Sequence, residues 1–157
     1  KDVMLFSSGG KAIRIKESDV RAMGRTARGV RGIRLKKDEE LISLIIPSEN
    51  SEILLSSENG YGKRSIISDY SIIGRGGQGV ICMKGSSRNG KLVGAIEISS
   101  GEEVILISDQ GTLVRISSNE VSLQGRNTLG IKLISLAEDE RLVGIAAVNE
   151  LDDGSDS

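Results

Sequence analysis

Arginine recurs at two fixed places along the chain: Arg14, Arg64 and Arg115 at one, and Arg25, Arg75 and Arg126 at the other. A planar guanidinium fork grips two phosphate oxygens together, so such groups at a regular interval suit a polymer of regularly spaced negative charge. Each member of the second set follows a glycine (Gly24, Gly74, Gly125), and glycine-bracketed loops also offer backbone N–H groups to an anion. Arg21, Arg28, Arg31 and Arg34 supplement the rail, and Lys63 stands beside Arg64. Aromatic residues make up 2% of the chain (Phe6, Tyr61 and Tyr70), which disfavours single-stranded nucleic acid, whose bases stack on aromatic rings. Duplex DNA held through its backbone and bent is the better match.

Other chemistries fall away. The chain has no histidine, which removes Ser-His-Asp and Cys-His nucleophile systems. Cys82 is the one cysteine, so disulfide frameworks and structural zinc sites are excluded, and within Val80-Ile81-Cys82-Met83 it reads as a buried thiol. Ser8-Gly9-Gly10-Lys11 reads as a hairpin turn and not a nucleotide-binding loop, because Ala12 follows the lysine and no helix pattern opens. No catalytic residue, metal ligand or cofactor site is expected. No apolar stretch approaches the roughly 20 residues a bilayer span needs and no signal peptide opens the chain, so the expected compartment is the cytoplasm.

The net charge of −1 conceals an uneven distribution. Residues 1–36 carry ten Lys or Arg against three acids, whereas 137–157 carry seven acids (Glu138, Asp139, Glu140, Glu150, Asp152, Asp153, Asp156) against Arg141. A basic body with an acidic tail at 151–157 is expected, the tail being a solvated extension or a competitor for the basic rim.

The elements that position these residues emerge from self-comparison. Three segments, about 3–50, 53–101 and 104–150, share their landmarks at offsets of 50 or 51 residues. Each opens on an apolar run (Val3-Met4-Leu5-Phe6, Ile53-Leu54-Leu55, Val104-Ile105-Leu106-Ile107) and turns at Gly10, Gly60 or Gly111. The repeated arginine, a polar corner, the Gly-Arg loop and a further glycine (Gly29, Gly79, Gly130) follow. Strands are expected after that glycine at 30–35, 80–84 and 131–136, and again at 41–46, 92–98 and 142–148, with Asn89-Gly90 as a hairpin signal. Four strands per unit of about 50 residues is propeller-blade spacing, and the core must come from Ile, Leu and Val. The fold class is all-β and propeller-like, with three four-stranded blades in an open arc.

Several stretches resemble the C-terminal domain family of the DNA gyrase A subunit. They are Val20-Arg21-Ala22-Met23-Gly24-Arg25 continuing to Gly29-Val30-Arg31-Gly32-Ile33-Arg34-Leu35, Glu58-Asn59-Gly60-Tyr61-Gly62-Lys63-Arg64, Gly111-Thr112-Leu113-Val114-Arg115, and Gly125-Arg126-Asn127-Thr128 with Gly130-Ile131. The resemblance covers essentially the whole chain. It implies a β-pinwheel with strands exchanged between neighbouring blades and a basic rim that wraps duplex DNA. It further implies a non-catalytic part of a bacterial, nucleoid-associated type II topoisomerase that introduces negative supercoils. The implied partners are the gyrase A N-terminal region, which holds the nucleophile, and the ATP-hydrolysing gyrase B subunit. The family's signature box, Gln-Arg-Arg-Gly-Gly-Lys-Gly, is absent. Its nearest counterpart is Gly74-Arg75-Gly76-Gly77-Gln78-Gly79, read as a degenerate copy, which makes the chain the last three or so blades. The alternatives are the equivalent domain of topoisomerase IV and, from another class, a propeller that docks proteins.

Overall fold

A computed structural model of the chain describes residues 1–18, 33–48, 50–72 and 79–148. The chain is all-β, as expected. Unit one supplies β1 (Asp2–Ser7), β2 (Lys11–Lys16) and β3 (Leu41–Ile45); unit two β4 (Glu52–Ser57), β5 (Tyr61–Ile66), β6 (Val80–Ile81) and β7 (Leu92–Ile98); unit three β8 (Glu103–Ser108), β9 (Leu113–Ser117), β10 (Ile131–Lys132) and β11 (Leu142–Ala147). Short 3-10 turns, Ile67–Asp69 and Ser118–Glu120, form the polar corners of units two and three.

The sheets do not follow the unit boundaries. Their strand orders are β3-β1-β2-β6, β10-β5-β4-β7 and β11-β8-β9. Thus β6 of unit two closes the sheet of unit one, where Ala12 pairs with Val80, and β10 of unit three closes the sheet of unit two, where Gly62 pairs with Ile131. Among the described residues the third sheet has three strands, with β9 at its edge. The swapped strands are also shorter than the runs expected from sequence, two residues each. Because β6 pairs with β2 and not with β7, Asn89-Gly90 links two sheets instead of turning a hairpin between neighbours.

The glycine turns show why exchange needs small residues. Gly10 and Gly60 have φ of 82° and 91°, and a Cβ on either would lie 2.6 Å from the Met83 carbonyl oxygen or 2.7 Å from that of Ile134. Both carbonyls lie two residues beyond the incoming strand of the next unit, in the segment that follows β6 or β10. Cys82 N–H donates to the Gly10 carbonyl at 2.8 Å and Leu133 N–H to the Gly60 carbonyl at 2.7 Å, extending the seam. Gly111 turns with φ of 86° but has no atom within 4 Å of such a Cβ.

Strand alternation gives each sheet two apolar faces. Met4 and Phe6 point to the second blade, where they join Ile53, Leu55, Tyr70, Cys82, Met83 and Leu92 in one buried cluster. Leu54, one residue out of phase with Leu55, faces the third blade with Ile98, Val104 and Val121. Leu5, Ile13, Ile15 and Ile33 form a cluster on the other side of the first sheet. Phe6 meets Tyr70 edge-on at 6.3 Å, and the Tyr70 hydroxyl is hydrogen-bonded to the Ser65 hydroxyl at 2.8 Å. The fourth strands pack in series, β3 beside β7 and β7 beside β11, so they form the inner side of the arc. The swapped strands β6 and β10 lie at the opposite, outer edges of their sheets.

Candidate nucleic-acid interface

Arg14, Arg64 and Arg115 occupy the same register on the second strand of each unit. Each pairs with an acid across the hairpin: Arg14 with Asp2 at 2.8 Å, Arg64 with Glu52 at 2.7 Å, and Arg115 with Glu103. The first two do more. Arg14 Nη1 donates to the carbonyls of Ile67 at 3.1 Å and Tyr70 at 3.0 Å, and Arg64 Nε donates to that of Val121 at 2.6 Å. These carbonyls lie in the polar corner of the following unit, where Arg14 also bridges Ile72 and Arg64 bridges Leu123 through the backbone. The side chains of Arg14 and Arg64 are accordingly 19% and 13% exposed, against 61% for Arg115. What reads in sequence as an outward rail is, at these two members, a staple between blades.

Arg126 is similarly engaged, with Nε donating to the Asp69 carbonyl at 2.8 Å and Nη1 to that of Ile81 at 3.0 Å. Lys63, expected on the rim, is instead fully buried. Its ammonium donates to the carbonyl oxygens of Gly125 (2.9 Å), Arg126 and Thr128 (3.2 Å) and to the Thr128 hydroxyl (2.9 Å). Burial lowers its pKa to about 8. The reason is register: Lys63 stands opposite the buried Leu55, as the buried Ile13 stands opposite Leu5 and the half-buried Val114 opposite Leu106. Aligning Ile13, Lys63 and Val114 carries that signal in the sequence itself.

Arg34 is exposed. Arg21, Arg25, Arg28, Arg31 and Arg75 lie outside the described residues, as do Gly74, Gly76, Gly77 and Gln78 of the box-like loop and the tail beyond Val148. Gly79, which ends that loop, has φ of 82° and sits against the Ala12 carbonyl, 2.5 Å from where its Cβ would be. Among the acids near the tail, Glu138 and Asp139 are exposed, but Glu140 is buried. Its carboxylate accepts from the Ser108 hydroxyl at 2.5 Å and Ala137 N–H at 3.1 Å, and the Ser108 bond above all lowers its pKa.

Self-comparison also passes over several exposed cations. Lys84, Arg88, Lys91 and Lys132 are exposed, and none recurs as a cation in all three units. Lys132 lies on β10 itself and Lys84 just beyond β6. Among the described residues no group of three or more His, Cys, Asp or Glu is placed to hold a metal, and no helix is long and apolar enough to cross a membrane. Burial raises the Cys82 thiol to about 12, as befits a packed side chain.

Comparison with known proteins agrees with this architecture. The family model of the DNA gyrase C-terminal domain, a beta-propeller, matches at residues 1–48, 51–99 and 102–149. The chain is 58% identical over 156 residues to the DNA gyrase A protein of Pseudomonas aeruginosa, covering 99% of this chain and 17% of that protein. Identity to the DNA gyrase A protein of Escherichia coli is 47% over 155 residues, covering 99% and 18%. The chain thus spans about a sixth of the length of these relatives. Among solved structures, a DNA gyrase A C-terminal domain superposes with a TM-score of 0.82 at 30% identity, covering 94% of this chain and 50% of that one. The C-terminal domain of a DNA topoisomerase IV has the same fold, with a TM-score of 0.81 at 18% identity over 93% of this chain and 46% of that one. Repeated blades, exchanged strands and matched family segments converge: the chain belongs to the DNA gyrase C-terminal domain family.

Proposed function

We propose that this chain is a duplex-DNA-wrapping segment of a DNA gyrase A protein, without a catalytic site of its own. In the holoenzyme it works beside the gyrase A N-terminal region and the gyrase B protein, which supply strand cleavage and ATP hydrolysis, and its wrapping gives strand passage a sign. The observation that carries the reading is the placing of exposed cations at the outer strands, Lys132 on β10 and Lys84 just beyond β6, with Arg88 sharing a recess with Lys132, while the apolar fourth strands are turned to the inside of the arc. Phosphates followed around such an edge are contacted without reading bases. Arg21, Arg25, Arg28, Arg31, Arg34, Arg75 and Arg115 contribute further phosphate contacts in this reading. Arg14, Arg64, Arg126 and Lys63 hold the blades together beneath them.

A topology assay tests the proposal. Nicked circular DNA sealed by ligase in the presence of the purified chain should acquire a linking-number change of one sign that grows with protein concentration. Circles sealed at the relaxed distribution, despite measurable duplex binding, would reduce the role to binding without wrapping. Absence of duplex binding at low salt would remove the reading altogether.

A further inference from the structure

The geometry points to a built phosphate seat at the outer junction of the second and third blades, centred on Arg88. It rests on the duplex-binding reading and assigns residues that the repeated arginines do not include. A recess of about 240 Å³ there is lined by Asn59, Tyr61, Arg88, Lys132, Glu140 and Arg141. Three of its side chains are cationic, and the one acid, Glu140, has its oxygens turned onto Ser108 and Ala137 N–H.

Arg88 is exposed yet fixed. Its guanidinium carbon lies 4.1 Å from the centroid of the Tyr61 ring, a cation–π stack. Nη2 donates to the carbonyls of Leu129 at 3.2 Å and Gly130 at 3.1 Å, and Nε donates to Asn89 Oδ1 at 3.0 Å. The turn beneath is held as firmly: Asn59 Nδ2 donates to the carbonyls of Ser87 (3.3 Å) and Arg88 (3.0 Å), and the buried Asn89 donates to that of Leu129 at 2.8 Å. A guanidinium already ordered by its neighbours loses little further freedom when an anion binds. Arg141 is braced on the carbonyls of Glu138 at 3.0 Å and Glu140 at 2.8 Å, and Lys132 stands in register with Tyr61 on the adjacent strand.

The same place in the preceding junction is also a cation-lined recess, about 140 Å³, where the turn at Ser8–Gly10 meets Lys84 and Lys91 of the next unit. Two such recesses one blade apart suit a phosphodiester backbone passing along the outer edge, and the class of ligand is duplex DNA phosphate.

The test is duplex binding by the full chain across a salt series, with melting curves to establish that each variant folds. Arg88→Gln combined with Lys132→Gln should weaken binding about tenfold at low salt and reduce the slope of log K against log salt by about two. Arg88→Lys alone, keeping the charge but losing the stacked plane and the bracing on Leu129 and Gly130, should recover part of the affinity. Lys16→Gln, an exposed cation at the far end of β2, should change little. Wild-type affinity and slope in the folded double variant would overturn the seat while leaving duplex binding intact. A loss in Lys16→Gln as large as that in the double variant would overturn it too, in favour of diffuse charge. If the wild-type chain itself fails to bind duplex, the seat falls with the general reading.

Discussion

The Arg14 guanidinium donates to the Tyr70 carbonyl at 3.0 Å, joining the second strand of one unit to the polar corner of the next. Arg64 repeats the relationship one blade later through Val121, whereas among the described residues Arg115 holds only its own hairpin acid, Glu103. Removing Arg14 or Arg64 strands a carboxylate and one or two carbonyls in a mostly buried junction. Arg14→Ala and Arg64→Ala should therefore each cost about 2–3 kcal/mol, and Arg115→Ala under about 1 kcal/mol. Urea unfolding of the three variants checks the order, and an equal effect at all three positions would contradict the staple.

The glycine turns make a parallel contrast. Gly60→Ala imposes both a left-handed conformation and a contact with the Ile134 carbonyl, while Gly111→Ala imposes only the conformation. The first should destabilise by about 2 kcal/mol or more and the second by about 1 kcal/mol. The comparison reads the approach of the exchanged segment, since the carbonyl of Ile134, just beyond β10, is the obstacle at Gly60. Melting temperatures that fall equally would mean that the seam yields.

Lys63 gives a pH signature. Its folded pKa is about 8 against the ordinary 10.5. Below about pH 8 both folded and unfolded chains hold the proton, and burial of the charge opposes folding by a constant amount. Between 8 and 10.5 only the unfolded chain keeps it, so stability rises with pH through that window. The stability difference between wild type and Lys63→Met should therefore be flat below about 8 and then shift toward the wild type, by up to about 3 kcal/mol. Cys82, raised to about 12, acts oppositely above its ordinary 9 and is coupled to the Lys63 charge, so the difference is read cleanly between 8 and 9, before the unfolded chain's thiol titrates. A flat difference would show that Lys63 titrates normally, and a falling one that folding raises its pKa; either would contradict the account of its burial.

The acidic tail, a solvated extension or a competitor for the basic rim, is tested by deletion. Glu140 is engaged by Ser108 and Ala137 N–H, which removes it from such a competition, whereas Glu138 and Asp139 are exposed. Deleting residues 150–157 should raise duplex affinity about twofold at low salt, with the gain vanishing as salt screens both interactions. Unchanged affinity at every salt concentration would make the tail a passive extension.

The repeat makes most of the fold legible in the sequence. Landmarks such as Gly10, Gly60 and Gly111 locate the turns, and Ile-Leu-Val runs locate the strands. Strand ownership is a different matter, because periodicity says that Val80-Ile81 is a strand but not which sheet it joins. That choice is made by the packing of one blade on another, through the Gly10 and Gly60 approaches. The same blindness affects the arginines. Recurrence marks Arg14 and Arg64 as important, yet a group repeated for docking onto a neighbour recurs as faithfully as one repeated for docking onto DNA. Arg88 and Lys132 are invisible to self-comparison for the opposite reason: they do not recur, and only the turn and the swapped strand bring them to one recess.

Everything proposed for function depends on duplex DNA being held by its backbone along the outer edge. The affinity of the chain for two unrelated duplexes of equal length, measured across a salt series, bears on that point without intermediaries. Neutralising roughly three to six phosphates predicts a slope of log K against log salt of about −3 to −5, the same for both sequences. Binding indifferent to salt, or a strong preference for one sequence, would contradict it.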